Sequence, residues 1–226
     1  MRPIPKGSLV VSCQARPDNP LHGPVHMAAM ALAARDGGAG GIRANGPQDI
    51  AAIKAVVDLP VIGILKCERP GIPVIITPDF AAAEAVAKAG CDIVAIDATA
   101  RYRGGEDLAG LVKAIRERLN VAIFADCATL AEGIAADALG VDYVSSTLSG
   151  YTEETLAPKG TGPDLALVAA LAAHCKAPVV AEGRFDTPAL AAQALQAGAH
   201  AVVVGTMITN PREITKRFAD AVHGAC

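Results

Sequence analysis

No tryptophan occurs in the 226 residues, and four Phe with three Tyr hold the aromatic share to 3%. Sites that stack bases or sugar rings need several exposed aromatic rings, so single-stranded nucleic acid and sugar polymers are excluded as partners. Net charge is scarce too. Twenty Lys+Arg against 23 Asp+Glu leave a formal −3, which rules out nucleic-acid binding through bulk positive charge. After Met1-Arg2-Pro3-Ile4-Pro5-Lys6 the first apolar run stops at Ser12, too short for a signal-peptide core or a membrane span, and a cytoplasmic protein is expected. The six cysteines, at 13, 67, 91, 127, 175 and 226, form no CxxC and no Cys/His ligand spacing. They read as buried reduced thiols rather than a zinc site or a redox dithiol. His22 and His26 are four apart but straddle Pro24, so no metal pair is expected there.

What is present is aliphatic. Hydrophobic residues make up 52% of the chain and the mean hydropathy is +0.36, which excludes disorder. Short Val/Ile/Ala runs alternate with Ala-rich stretches of helical period. The runs are Leu9 to Cys13, Gly41 to Ala44, Val61 to Leu65, Ile93 to Ile96, Val121 to Ala125, Tyr143 to Ser146, Val179 to Ala181 and Ala201 to Val204. Between two of them Leu108, Leu111, Val112, Ile115 and Leu119 recur at the spacing of an amphipathic helix. A small or capping residue followed by Pro predicts helix starts at Gly23-Pro24, Gly46-Pro47, Thr77-Pro78, Gly162-Pro163, Thr187-Pro188 and Asn210-Pro211, the last with Glu213 as a capping-box partner. No linker interrupts the alternation, so residues 1–226 read as one α/β domain, a (β/α)₈ TIM barrel. A doubly wound open sheet is the alternative.

Internal repetition favours closure. One phrase recurs at Gly38-Ala-Gly-Gly-Ile-Arg-Ala-Asn45, Gly90-Cys-Asp-Ile-Val-Ala-Ile-Asp97, Gly140-Val-Asp-Tyr-Val-Ser-Ser-Thr147 and Gly198-Ala-His-Ala-Val-Val-Val-Gly205. A second opens at Pro60-Val61, Asn120-Val121 and Pro178-Val179, so the period is two βα units. Because side chains alternate along a strand, counting parity from these anchors puts Gln14, Lys66, Asp126, Glu182 and Arg184 in one orientation. Arg43, Asn45, Asp97, Thr147 and Gly205 share parity in the other phrase. A polar ring at strand ends above an aliphatic barrel is a candidate site.

Glu182-Gly183-Arg184 and Gly205-Thr206 close strands seven and eight, where barrels build phosphate sites, so a phosphorylated substrate is implied. Leu148 to Gly162 is long for a barrel loop and suits a lid. Lys66 fits a phosphate ligand, a Schiff-base nucleophile or a proton-transfer base; Arg43 would favour its neutral form, and Asp126 would position it.

The phrases Val11-Ser-Cys-Gln14-Ala, Gly41-Ile-Arg43-Ala-Asn-Gly46, Gly63-Ile-Leu-Lys66, Ile76-Thr-Pro78, Asp97-Ala-Thr99, Val144-Ser-Ser-Thr-Leu-Ser-Gly-Tyr-Thr152, Glu182-Gly-Arg-Phe-Asp-Thr-Pro188, Ala201-Val-Val-Val-Gly-Thr206 and Ile214-Thr-Lys-Arg-Phe218 together resemble the N-acylglucosamine-6-phosphate 2-epimerase family, also called N-acetylmannosamine-6-phosphate epimerases. The resemblance implies a cofactor-free isomerase barrel that interconverts N-acetylmannosamine 6-phosphate and N-acetylglucosamine 6-phosphate in sialic-acid and amino-sugar catabolism. It also implies a homodimer packed through C-terminal helices such as Pro211 to Val222. Lys66 would transfer the C2 proton with Glu182 as its catalytic partner, and Asp126 would orient Lys66 or contact sugar hydroxyls. Gln14 and Arg43 would contact substrate, with Asp97, Thr147 and Arg184 around it, and the backbone at Gly183, Gly205 and Thr206 would take the phosphate. The chain departs from the family pattern at Cys67-Glu68-Arg69-Pro70, at Arg184, where Lys is usual, and at Asn210, where many relatives carry Arg. A Schiff-base aldolase and a non-catalytic phosphosugar-binding barrel are the rival readings.

Overall fold

Runs of β-branched residues between Ala-rich helices leave few ways to bury both faces of a sheet, and this chain does so by closing it. The computed structural model describes residues 2–158 and 160–225. Eight parallel strands follow in order, β1 (Ser8–Cys13), β2 (Gly41–Asn45), β3 (Val61–Ile64), β4 (Ile93–Asp97), β5 (Ala122–Asp126), β6 (Tyr143–Ser145), β7 (Val179–Glu182) and β8 (Ala201–Val204). Each pairs with its neighbour, and Val10↔Val203 between β1 and β8 closes the ring. That pairing removes the open-sheet alternative.

The helices are α1 (Pro24–Asp36), α2 (Pro47–Val56), α3 (Phe80–Lys88), α4 (Leu108–Arg118), α5 (Leu130–Ala138), α6 (Leu165–His174), α7 (Pro188–Gln196), α8 (Thr206–Thr209) and α9 (Pro211–His223). Four of the six expected Pro starts hold. The other two shift by two residues, because Asp79 accepts from Ala82 N at 2.9 Å and Asp164 from Leu167 N at 2.9 Å, and these carboxylates cap α3 and α6 in place of Thr77 and Gly162. At α9 Asn210 accepts from Glu213 N at 3.4 Å, one half of the expected capping box.

Strand parity divides the core into two layers. Val10, Ile62, Ile93, Phe124, Val180 and Val203 fill the barrel, while Val11, Ile42, Val94, Ile123, Val144 and Val202 face the helices. The bottom is plugged by Ile4, whose N–H donates to Tyr143 Oη at 3.1 Å and whose carbonyl meets His200 Nε2 at 2.9 Å. Cys13, Cys91 and Cys127 are buried, Cys67 and Cys175 half-buried, and all five are free thiols; Cys226 lies outside the described residues. Burial alone pushes the Cys13 thiol up to about 12, as inert core cysteines require. Among the described residues no helix is long and apolar enough to cross a membrane.

Candidate active site

The inward parity of the strand ends brings Gln14, Arg43, Lys66, Asp97, Asp126, Thr147, Glu182 and Gly205 to one end of the barrel, where parallel barrels carry their chemistry. At its centre lies an ion cluster. Arg43 donates to both oxygens of Asp126, from Nη1 at 2.9 Å and from Nη2 at 2.6 Å, and Nη1 also donates to Glu182 Oε2 at 2.6 Å. Both Arg43 and Asp126 are sealed from solvent, with side-chain exposures of 1% and 0%, so Arg43 forms the floor of the site rather than an open wall. Burial works against the cation, but the two carboxylates more than reverse this and hold the Arg43 pKa above its ordinary value.

One guanidinium faces two carboxylates, and the bidentate bond neutralises Asp126 first. Glu182 is the surplus negative charge. Burial, opposed by Arg43 and assisted by the Asp126 charge, pushes its pKa up to about 7. Thr147 Oγ1 donates to Glu182 Oε2 at 3.1 Å, and Ser145 Oγ lies 2.8 Å from Thr147 Oγ1. Ser146 Oγ accepts from Glu182 N at 3.2 Å and donates to Glu182 O at 3.0 Å.

Lys66 follows β3, its backbone N–H donating to Asn45 Oδ1 at 2.9 Å. Its side chain reaches solvent over the mouth. Loss of hydration against the crowded rim, then the Arg43 charge, hold its pKa below the ordinary lysine value. The expected direct hold of Asp126 on Lys66 is absent among the described residues, because both Asp126 oxygens belong to Arg43. Gln14 Nε2 donates to Ser12 Oγ at 2.8 Å, while its Oε1 is buried without a partner among the described residues. A buried acceptor left bare is costly unless a ligand completes it.

Two expected substrate contacts are otherwise occupied. Asp97 is fully buried. Its Oδ1 accepts from Thr99 N at 3.0 Å and Thr99 Oγ1 at 2.6 Å, and its Oδ2 from Arg101 at 2.7 Å. Arg184, in a left-handed conformation at φ 58°, donates to Gly162 O at 2.8 Å and to Ser149 O. It thereby ties together the two ends of the long loop after β6 and leaves its strand-end position. That loop folds into a 3₁₀ turn at Glu153–Thr155, and Gly150, at φ 82°, lies against the Arg184 guanidinium, where any other residue would strain the backbone and push that guanidinium aside. Asn210 is likewise committed, capping α9 and meeting Asn19 Nδ2 at 3.4 Å. Gly183, at φ 110°, and Gly205, which precedes α8, lie at the ends of β7 and β8, and Thr206 is exposed. Ser145, Thr99 and Arg101 were not anticipated. Ser145 could have been, since it lies two residues before Thr147 on the same face.

Comparison with known proteins agrees with this architecture. The family described as "NanE: Putative N-acetylmannosamine-6-phosphate epimerase" matches residues 27–224. A relative from Shouchella clausii, described as a "Putative N-acetylmannosamine-6-phosphate 2-epimerase", is 50% identical over 96% of each chain. One so described from Caldanaerobacter subterraneus is 50% identical over 94% of this chain and 90% of its own. The solved N-acetylmannosamine-6-phosphate 2-epimerase of Clostridium perfringens superposes with a TM-score of 0.91 at 44% identity, over 96% of this chain and 94% of that one. A thiamine phosphate pyrophosphorylase from Pyrococcus furiosus, TM-score 0.62 at 18% identity over 92% of this chain and 90% of its own, shares the fold alone. On the length and level of these matches, the chain belongs to the N-acetylmannosamine-6-phosphate epimerase family.

Proposed function

We propose that this chain is an isomerase that interconverts N-acetylmannosamine 6-phosphate and N-acetylglucosamine 6-phosphate by proton transfer at C2. The observation that carries the reading is a glutamate raised to about 7 and a lysine held low at one barrel mouth. Inverting C2 requires removal of a proton α to a carbonyl, and that carbonyl exists only when the sugar ring opens to the aldehyde. A proton must then leave one face of C2 and a proton arrive at the other, whether through one residue or two, and here one residue is assigned to each face. In a ring of eight, β3 and β7 stand on opposite walls, so Lys66 and Glu182 approach from opposite sides.

The pair shares one proton. Neutral Lys66 with protonated Glu182 starts the reaction in one direction, and ammonium with carboxylate starts it in the other. Lowering the lysine and raising the glutamate bring these two forms close in energy, which a reversible epimerisation needs. The Arg43 floor supplies positive charge beneath the developing enolate. Gln14 Oε1 accepts from the acetamido N–H or a hydroxyl of the substrate, and the backbone N–H groups of Gly183, Gly205 and Thr206 hold the phosphate. No cofactor takes part. The whole chain works as one domain, in the cytoplasm, as a homodimer.

Either sugar phosphate incubated with the protein in deuterium oxide should yield both epimers with deuterium at C2, and Lys66→Met should abolish both. Hydrogen retained at C2 through turnover would refute proton transfer. Borohydride trapping of substrate on Lys66 would instead favour a Schiff-base aldolase.

A further inference from the structure

Glu182 does not present its two oxygens alike. Oε2 receives Arg43 Nη1 at 2.6 Å and the Thr147 hydroxyl at 3.1 Å, whereas Oε1 has no hydrogen bond or ion pair among the described residues. An oxygen already facing an N–H and an O–H donor has no room for a proton of its own along those directions, so protonation falls on Oε1. The hydroxyl order follows from the same constraint. Ionised Glu182 and Arg43 leave Thr147 only the donor role towards Oε2, and its oxygen then accepts from Ser145 Oγ at 2.8 Å. Ser145 is fully buried and Ser146 is 2% exposed. Ser146 brackets the Glu182 main chain on both its N–H and its carbonyl. Directly after β6, Thr147 therefore holds the Glu182 side chain and Ser146 its backbone, with Ser145 standing behind Thr147.

We propose that Thr147, oriented by Ser145, is a positioning residue that directs the exchangeable proton to Glu182 Oε1 and sets how easily that proton is lost. This rests on Glu182 acting as acid and base as proposed above. The Thr147 hydroxyl bonds Oε2 more strongly when the carboxyl is charged than when Oε1 carries the proton, and so opposes the burial and the Asp126 charge that raise Glu182. Thr147 thereby moves from the wall that touches substrate to the support of the residue that does.

The test is the pH profile of kcat/KM. Thr147→Val keeps the shape and removes the hydroxyl. Its acid limb should move to higher pH by about one unit, so that kcat/KM well below the limb falls about tenfold relative to the plateau. Thr147→Ser should restore the wild-type limb, and Ser145→Ala should move it the same way by less. If the Val variant folds poorly, the Ser145→Ala profile still reads the relay from its outer end. A Val variant whose limb superposes on wild type, with only KM raised, would overturn the proposal and return Thr147 to substrate contact. A limb that survives in Glu182→Gln would instead overturn the acid–base reading of Glu182 on which the proposal rests.

Discussion

Arg43 is one cation placed between two carboxylates, and the asymmetry of its bonds decides which of them is reactive. Asp126 takes the bidentate fork and is sealed, so it serves as the fixed counter-ion; Glu182 shares a single nitrogen and keeps the open oxygen. It follows that Asp126 controls Glu182 through charge, with no direct bond between them. Asp126→Asn should release Arg43 toward Glu182 and remove a repelling neighbour, lowering the Glu182 pKa. The acid limb of kcat/KM should move to lower pH, opposite to Thr147→Val. Because Glu182 remains to compensate the guanidinium, the stability cost measured by urea unfolding should be about 1–3 kcal/mol, less than the roughly 3–5 kcal/mol for stripping a buried ion of its last partner. A limb that stays fixed or rises in the Asn variant would show that the charge coupling is wrong.

At the level of elements, strands were easier to read than loops because a strand imposes a period of two and a loop imposes none. Counting parity from Val61, Val121 and Val179 sufficed to put Lys66, Asp126 and Glu182 on the inward face, since each lies on or just past a regular strand. Arg184 lies two residues beyond β7, past the left-handed Gly183, and there parity ceases to predict direction, so its guanidinium turns to the β6 loop. The Asp97–Thr99–Arg101 cluster was hidden for the same reason, being closed by a chain reversal after β4. Helix α9 was legible in its Asn-Pro start, and its amphipathic pattern carries a further consequence. Ile214, Phe218 and Val222 fall at i, i+4 and i+8, no residue of the helix is buried, and Phe218 is 70% exposed. The homodimer proposed above, if formed through this stripe, would account for a phenylalanine on an outer helix. Phe218→Glu should convert a species of twice the chain mass into one of single mass in sedimentation equilibrium; a wild-type protein already of single mass would sink the dimer.

For the molecule as a whole, the closed aliphatic barrel carries a mouth that is electrostatically unfavourable. The native protein keeps a proton on Glu182 up to about pH 7, whereas the unfolded chain releases it near the ordinary 4.5. Between those values the native state binds more protons than the unfolded state, so this group makes stability fall as pH rises. Its penalty is absent below about 4.5 and complete above about 7. Glu182→Gln mimics the protonated side chain and carries no such penalty at any pH. The variant should match wild type near pH 4.5, gain on it through the window, and stay ahead above pH 7 by a gap on the order of 3 kcal/mol at most, while losing epimerase turnover throughout. Urea unfolding of both proteins at pH 4.5, 6 and 8 measures that gap. Parallel curves over the window would mean that ionising Glu182 costs the fold nothing, and that the barrel mouth is not held under strain for the sake of a proton.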